Sequence, residues 1–250
     1  MECLMAPSSL KPYLSPQGET GGSIASNVAR DIFARHTTEP LGAVAQRANE
    51  EINHQHESLK VDTSDGSNRF ATTAAVVKFN QNFLEVLQIS DSVVIVQDQQ
   101  GNVTTPVRHI YQDIEVMKKW RQLADRGAEN IRILVAEMVY ETRRNANRGY
   151  SLLNGDTKLT ANDYISRLPL ENISRILLLT DGLFIPKADP EIEEDWKVYI
   201  DICRKQGLSE LFRIVREVER SDPTLTDYPR FKISDDATGI FIELTKYDKL

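Results

Sequence analysis

Residues 175–180 (RILLLT) set four apolar side chains in succession, Ile176 to Leu179, and end on Asp181-Gly182. A short, unbroken apolar run fits a strand buried on both faces, with no side left for water. Three further segments are rich in β-branched and aromatic residues: 71–79 (ATTAAVVKF), 83–89 (FLEVLQI) and 92–98 (SVVIVQD). Asn80-Gln81-Asn82 and Ser90-Asp91 between them are short enough for hairpin turns, so the spacing predicts an antiparallel meander. Shorter strands are expected over 103–107 and 150–153, and a last strand over 238–244. Residues 1–5 look like the end of a strand.

Helical spacing supplies the rest. Ser23 is a candidate cap for a helix carrying Ile24, Val28, Ile32 and Phe33. A second helix runs from Pro40 to about His54, with Val44, Ala48 and Ile52 on one face. Residues 113–145 are the most helical region, divided at Gly127, and two more helices are expected over 192–205 and 209–219. Strands interrupted by helices, with a late strand returning, indicate an α+β fold. No repeat or internal boundary divides the chain, so one domain over 1–250 is expected.

Composition narrows the function classes. The 250 residues carry 37 acidic and 30 basic side chains, a net charge of −7, which is the wrong sign for sequence-independent nucleic-acid binding. No apolar stretch approaches the length of a membrane span, and the N-terminus lacks the basic and apolar regions of a signal peptide. The two cysteines, Cys3 and Cys203, are not expected to pair, which suits a reducing cytoplasm.

The chemistry concentrates at strand ends. Asp181-Gly182 follows one buried strand, and Asp235-Asp236 precedes another. Carboxylates held on such a rim can converge on a hard cation such as Mg²⁺ or Mn²⁺. From the residues alone, a plain Asp-Gly turn and a solvated acidic loop remain open alternatives.

Several segments together resemble one family. Ile176–Leu179 followed by Thr180-Asp181-Gly182-Leu183-Phe184 is similar to the apolar strand, Ser/Thr and Asp-Gly motif of metal-dependent (PPM-type, type-2C) serine/threonine protein phosphatases, in their bacterial form. Asp235-Asp236-Ala237-Thr238 resembles the family's closing motif, Phe70-Ala71-Thr72-Thr73-Ala74 its Thr-Thr strand, and Ser90-Asp91-Ser92 its Gly-Asp-Ser turn. The segment 149–156 (GYSLLNGD) resembles one seen in bacterial members. The resemblance implies an αββα sandwich of two antiparallel sheets flanked by helices. It also implies a binuclear Mn²⁺ or Mg²⁺ centre that activates water against a phosphoserine or phosphothreonine ester. Asp181 and Asp235 fall on metal-ligand positions and Asp236 on a neighbouring supporting position, while Thr72, Thr73 and Asp91 fall on structural ones. The implied partner is a phosphorylated protein substrate or regulatory protein, with no nucleic acid and no membrane.

The resemblance breaks at the start. The family's first strand, with its phosphate-binding Arg, has no counterpart, and Ala6-Pro7 stand where the metal-bridging Asp and its Gly belong. Three readings follow: a catalytically inactive pseudophosphatase that binds phosphoprotein, a chain started inside the domain, or an enzyme using another carboxylate, with Glu2, Glu19 and Asp156 as candidates. Among other features, His54 and His56 are expected at a solvated helix end. Arg143, Arg144 and Arg148 could contact phosphoprotein, although a solvated helix end is the simpler expectation.

Overall fold

Successive residues of each central strand enter different cores, and this alternation builds the layers. In a computed structural model, residues 2–7, 13–16 and 18–244 are described, with the side chains of residues 2–7 and 161–162 excepted. One sheet has the order β1-β2-β3-β6, formed by β1 (Glu2–Pro7), β2 (Thr72–Phe79), β3 (Phe83–Ile89) and β6 (Ile165–Pro169). The other has the order β5-β4-β7-β8, formed by β5 (Val103–Thr104), β4 (Val93–Asp98), β7 (Ile173–Leu179) and β8 (Gly239–Glu243). Every pairing in both sheets is antiparallel.

From β2, Ala75 and Val77 meet Ile176 and Leu178 of β7 in the core between the sheets. Ala74 and Val76 point the other way, under α1 (Gly21–Arg35) and α2 (Leu41–Ser58), against Phe33, Val44 and Ile52. Leu177 and Leu179 turn outward from β7 to pack on Tyr199, Ile200 and Leu211 of α6 (Trp196–Gln206) and α7 (Leu208–Ser221). The unbroken apolarity of Ile176–Leu179 is thus the signature of a strand with a core on each face, here in an antiparallel sheet. Each such aliphatic side chain contributes about 1.5–3 kcal/mol when fully buried. The result is the four-layer αββα sandwich.

The meander is corrected by the pairing. β3 and β4 are not neighbours; Ser90-Asp91 carries the chain from one sheet to the other. The apolar N-terminal stub extends to Pro7 and pairs with β2, Ala6 opposite Thr73 and Pro7 opposite Thr72. Residues 150–153 form only isolated bridges, Thr72 with Leu153 and Ala146 with Tyr150. The expected 103–107 strand is two residues long, and β6 had no strand expectation at all. Thr20, not Ser23, caps α1, its hydroxyl accepting from the Ser23 N–H at 3.1 Å. The region 113–145 forms three helices, α3 (Ile114–Asp125), α4 (Ile131–Leu134) and α5 (Ala136–Arg144). The helix expected from 192 begins at Trp196, after the Pro190-bearing loop, with Asp195 accepting from the Lys197 N–H at its N-terminus.

His56 is buried rather than solvated, its Nε2 accepting from the Phe70 N–H at 2.7 Å, while His54 is exposed. Cys203 is buried and free; Cys3 falls among the residues whose side chains are not described. No helix among the described residues is long and apolar enough to cross a membrane.

Candidate functional site

The register brings six strand ends to one edge of the sandwich. The end of β1 lies beside the start of β2, and Ala74 at that start pairs with Ile89 at the end of β3. In the second sheet, Val93, Leu179 and Gly239 are neighbours at the start of β4, the end of β7 and the start of β8. Thr73 and Ser92 share a buried hydroxyl–hydroxyl hydrogen bond of 2.7 Å that ties the two edges together. Asp91, Asp181 and Asp235 all emerge here and line one cleft of about 1040 Å³.

Each carboxylate is held by its own segment. Ser90 adopts φ +64°, and its N–H donates to Ser151 Oγ at 3.1 Å, which turns the chain into Asp91. Asp91 Oδ2 accepts from Gln112 Nε2 at 2.6 Å. Asp181 opens a single 3₁₀ turn, Asp181–Leu183, and accepts the Gly182 N–H at 3.0 Å. Thr180 fixes that turn against β8, its N–H donating to the Thr238 carbonyl at 3.1 Å and its Oγ1 accepting the Thr238 N–H at 3.0 Å. Gly182 lies against the Asp236 carbonyl, so the two acidic motifs touch through backbone.

Asp235 hangs on a clamped segment. The buried Asp222 carboxylate accepts from the Thr226 and Tyr228 N–H groups at 3.0 and 2.9 Å and pairs with Arg230 at 2.9 Å. Burial works against the ionised form, but these donors prevail and hold its pKa down at about 2. Arg216 of α7 donates to the Asp235 carbonyl at 2.5 Å, and Ser234 donates to Glu219 at 2.8 Å. The Asp235 carboxylate itself pairs with Lys232 at 2.7 Å. The Asp236 side chain is exposed and does not line the cleft.

The electrostatics follow from this crowding. Asp181 is exposed and Asp91 half-buried towards cleft water, while protein surrounds both on their other sides. Burial, then the charges of Asp91 and Asp235, push the Asp181 pKa well above the ordinary carboxylate range; Lys232 only partly offsets them. Asp91 is pushed up as well, first by burial, against the Gln112 hydrogen bond and the Arg143 charge. Behind them Arg143 forms a two-pronged pair with the buried Asp113, at 2.9 and 3.2 Å. Burial disfavours the guanidinium, but Asp113 outweighs it and Arg143 stays charged. Arg143 is therefore an internal support of the cleft rather than a solvated helix end; Arg144 and Arg148 remain exposed.

Sequence reasoning missed the cleft role of Asp91. Its neighbour Ser90, with a backbone conformation that favours glycine, was the available signal. Of the proposed substitute carboxylates, neither Glu19 nor Asp156 lines the cleft, and the Glu2 side chain lies outside the description. The oxygen donors of Asp91, Asp181 and Asp235 have the chemistry that Mg²⁺ or Mn²⁺ selects, and their mutual repulsion favours a cation between them. Among the described residues, however, no three His, Cys, Asp or Glu side chains converge closely enough to enclose a metal. The rim suits a hard cation but is not closed around one, and Lys232 competes for Asp235. A close-set metal pair would need a further carboxylate, and β1 ends in Ala6-Pro7.

A family model described as protein phosphatase 2C matches residues 14–216, which include Asp91 and Asp181 but not Ala6 or Asp235. The chain is similar in fold to the serine/threonine phosphatase Stp1 from Staphylococcus aureus, with a TM-score of 0.53, 10% identity, and coverage of 98% of this chain and 95% of that one. It also resembles the Mycobacterium tuberculosis serine/threonine phosphatase PstP/Ppp, with a TM-score of 0.50, 16% identity and coverage of 97% and 98%. The catalytic domain of PstP in complex with two manganese ions gives a TM-score of 0.51 at 16% identity, with 96% of each chain covered. No curated protein sequence matches significantly.

Proposed function

The chain belongs to the protein phosphatase 2C family, and from that premise we propose that its cleft hydrolyses phosphoserine and phosphothreonine on proteins with Mn²⁺ or Mg²⁺ as cofactor. One observation carries the reading. Three carboxylates from three separate chain segments, Asp91, Asp181 and Asp235, line one cleft at one end of the sandwich and repel one another. Asp181 and Asp235, with Asp91, would hold the cation; when bound, it supplies a Lewis acid and a water of lowered pKa.

The chain's own groups prepare that site. Gly182 permits the backbone contact with Asp236 that keeps Asp181 and Asp235 together. Gln112 orients Asp91 and partly satisfies its charge. Asp222 and Arg216 fix the segment that delivers Asp235. Acidic residues outnumber basic ones around the cleft, so a phosphate dianion is repelled until a cation neutralises the rim, which supports cation dependence.

A second reading, a catalytically inactive member that binds a phosphorylated regulatory partner, is favoured by a specific observation. β1 reaches this end of the sandwich opposite Thr72-Thr73 and finishes in Ala6-Pro7, which offer no side-chain ligand atom. Hydrolysis of a phosphothreonine peptide, with and without Mn²⁺ and with Asp181→Ala alongside, separates the two. Mn²⁺-dependent turnover abolished by Asp181→Ala supports the enzyme. A folded, monodisperse protein without turnover supports the silent binder.

A further inference from the structure

One wall of the cleft has features that holding a cation does not require. The loop over residues 184–196 carries Ile192, whose large apolar side chain is 59% exposed at the cleft. Tyr111, itself 37% exposed, lines the same cleft. Behind the loop, Trp196 and Phe184 meet at 5.5 Å and 69°, and His109 packs edge-on against both. Exposed aliphatic surface beside an aromatic wall costs solubility and suits contact with another chain.

The loop is also rigidly built. Lys187 donates to the Ile192 carbonyl and pairs with Glu194 at 2.9 Å. Glu194 accepts from the Tyr199 hydroxyl at 2.8 Å, and that hydroxyl accepts the Ile185 N–H at 2.9 Å. Tyr199 is buried, so this chain of bonds anchors the loop to α6. Glu191 reaches α3 through an ion pair with Lys118 at 2.9 Å. A surface fixed in this way loses little entropy on binding. Glu193 is different: it is exposed, lines the cleft, and has no ion pair or side-chain hydrogen bond among the described residues.

We infer that this loop reads the residues flanking the phosphorylated side chain and selects an aliphatic residue next to Lys or Arg. The inference rests on the phosphoprotein reading above and names the substrate class. Ile192 and Tyr111 give the aliphatic residue apolar contact beside the carboxylate rim. Glu193 supplies the complementary charge for a basic residue. A flanking acidic residue would add to the negative charge around the cleft and be rejected.

The test uses fluorescein-labelled peptides bearing a non-hydrolysable phosphonate in place of phosphothreonine, flanked by Ile-Arg, Ala-Ala or Asp-Glu. Binding to the full chain with Mn²⁺ is read by anisotropy for wild type, Ile192→Ala and Glu193→Lys. Both positions are exposed, and unchanged thermal midpoints verify folding. The Ile-Arg peptide is expected to bind at least about tenfold tighter than the Asp-Glu peptide, in line with the discrimination a few pocket contacts provide. Glu193→Lys should erase or reverse that preference, and Ile192→Ala should weaken the Ile-Arg peptide alone. Equal affinity for all peptides, no binding, or a preference untouched by both variants would overturn the inference. Turnover of matching phosphothreonine peptides is measured in parallel. A preference without turnover removes the hydrolysis reading and leaves the loop's role standing; turnover without preference does the opposite.

Discussion

A Cβ added to Gly182 would lie 2.1 Å from the carbonyl oxygen of Asp236. The nearest obstacle is backbone, so it cannot rotate away as a side-chain end could. The Asp181 and Asp235 motifs are therefore in contact only because position 182 has no side chain. Gly182→Ala should separate them and cost about 2 kcal/mol, as overpacking does in a fitted interior. It should also weaken Mn²⁺ binding. Gly66→Ala is the control, since nothing lies within 4 Å of its added Cβ; it should stay within about 0.5 kcal/mol. Denaturant unfolding and calorimetric Mn²⁺ titration measure both.

Lys232 occupies the electrostatic role of a cation. Its ammonium pairs with Asp235 at 2.7 Å and also lowers the cost of ionising Asp181. Its side chain is more than half exposed, so water screens the pair and its own contribution to stability is small. A divalent ion must still compete with it. Lys232→Met should tighten Mn²⁺ binding by about 3- to 10-fold, given the interaction of charges a few ångströms apart near a surface, with little change in stability. Unchanged or weaker Mn²⁺ affinity would show that Asp235 takes no part in holding the cation.

The layers were legible in the sequence because burial on two faces leaves an unbroken apolar run, as at Ile176–Leu179. The acidic motifs were legible because each abuts such a run. Pairing partners were not: a two-residue connection such as Ser90-Asp91 serves a hairpin or a crossing between sheets, and only the surrounding cores decide. β6 was hidden because its residues, ISRLP, are largely half-exposed and lack an apolar signature. His56 and Arg143 look solvated in sequence, since their partners, the Phe70 N–H and Asp113, lie 14 and 30 residues away. The Asp91 environment was hidden for the same reason: Gln112 and Arg143 reach it from elements distant in the chain.

His56 gives stability an acid dependence. Burial first, and then the Arg69 charge, depress its pKa from 6.5 to about 4. Above pH 6.5 the imidazole is neutral in both folded and unfolded chains, and this group adds no slope. As pH falls from 6.5 to 4, the unfolded chain takes up a proton that the folded one refuses, so stability falls; below about 4 the loss levels off. The full loss is about 3 kcal/mol, at 1.36 kcal/mol per pH unit. His56→Gln keeps an acceptor for the Phe70 N–H but cannot titrate. The difference between wild-type and variant unfolding free energies should widen across this window in favour of the variant. A constant difference would mean that His56 protonates without opposing the fold.

Ser90 combines two costs at one residue. Its φ of +64° is a left-handed conformation that disfavours a Cβ by about 1–2 kcal/mol. Its hydroxyl is buried without a hydrogen-bond partner among the described residues. The interaction worth keeping, from the Ser90 N–H to Ser151 Oγ, belongs to the backbone and survives substitution. Ser90→Gly should therefore stabilise the chain by about 1 kcal/mol, after the greater freedom of glycine in the unfolded state is set against these gains. Thermal unfolding would show a raised midpoint, and Ser90→Ala, which removes the hydroxyl but keeps the Cβ, should recover only part of it. If alanine equals glycine, the unpaired hydroxyl accounts for the whole effect and the backbone conformation at the sheet-to-sheet crossing carries no strain.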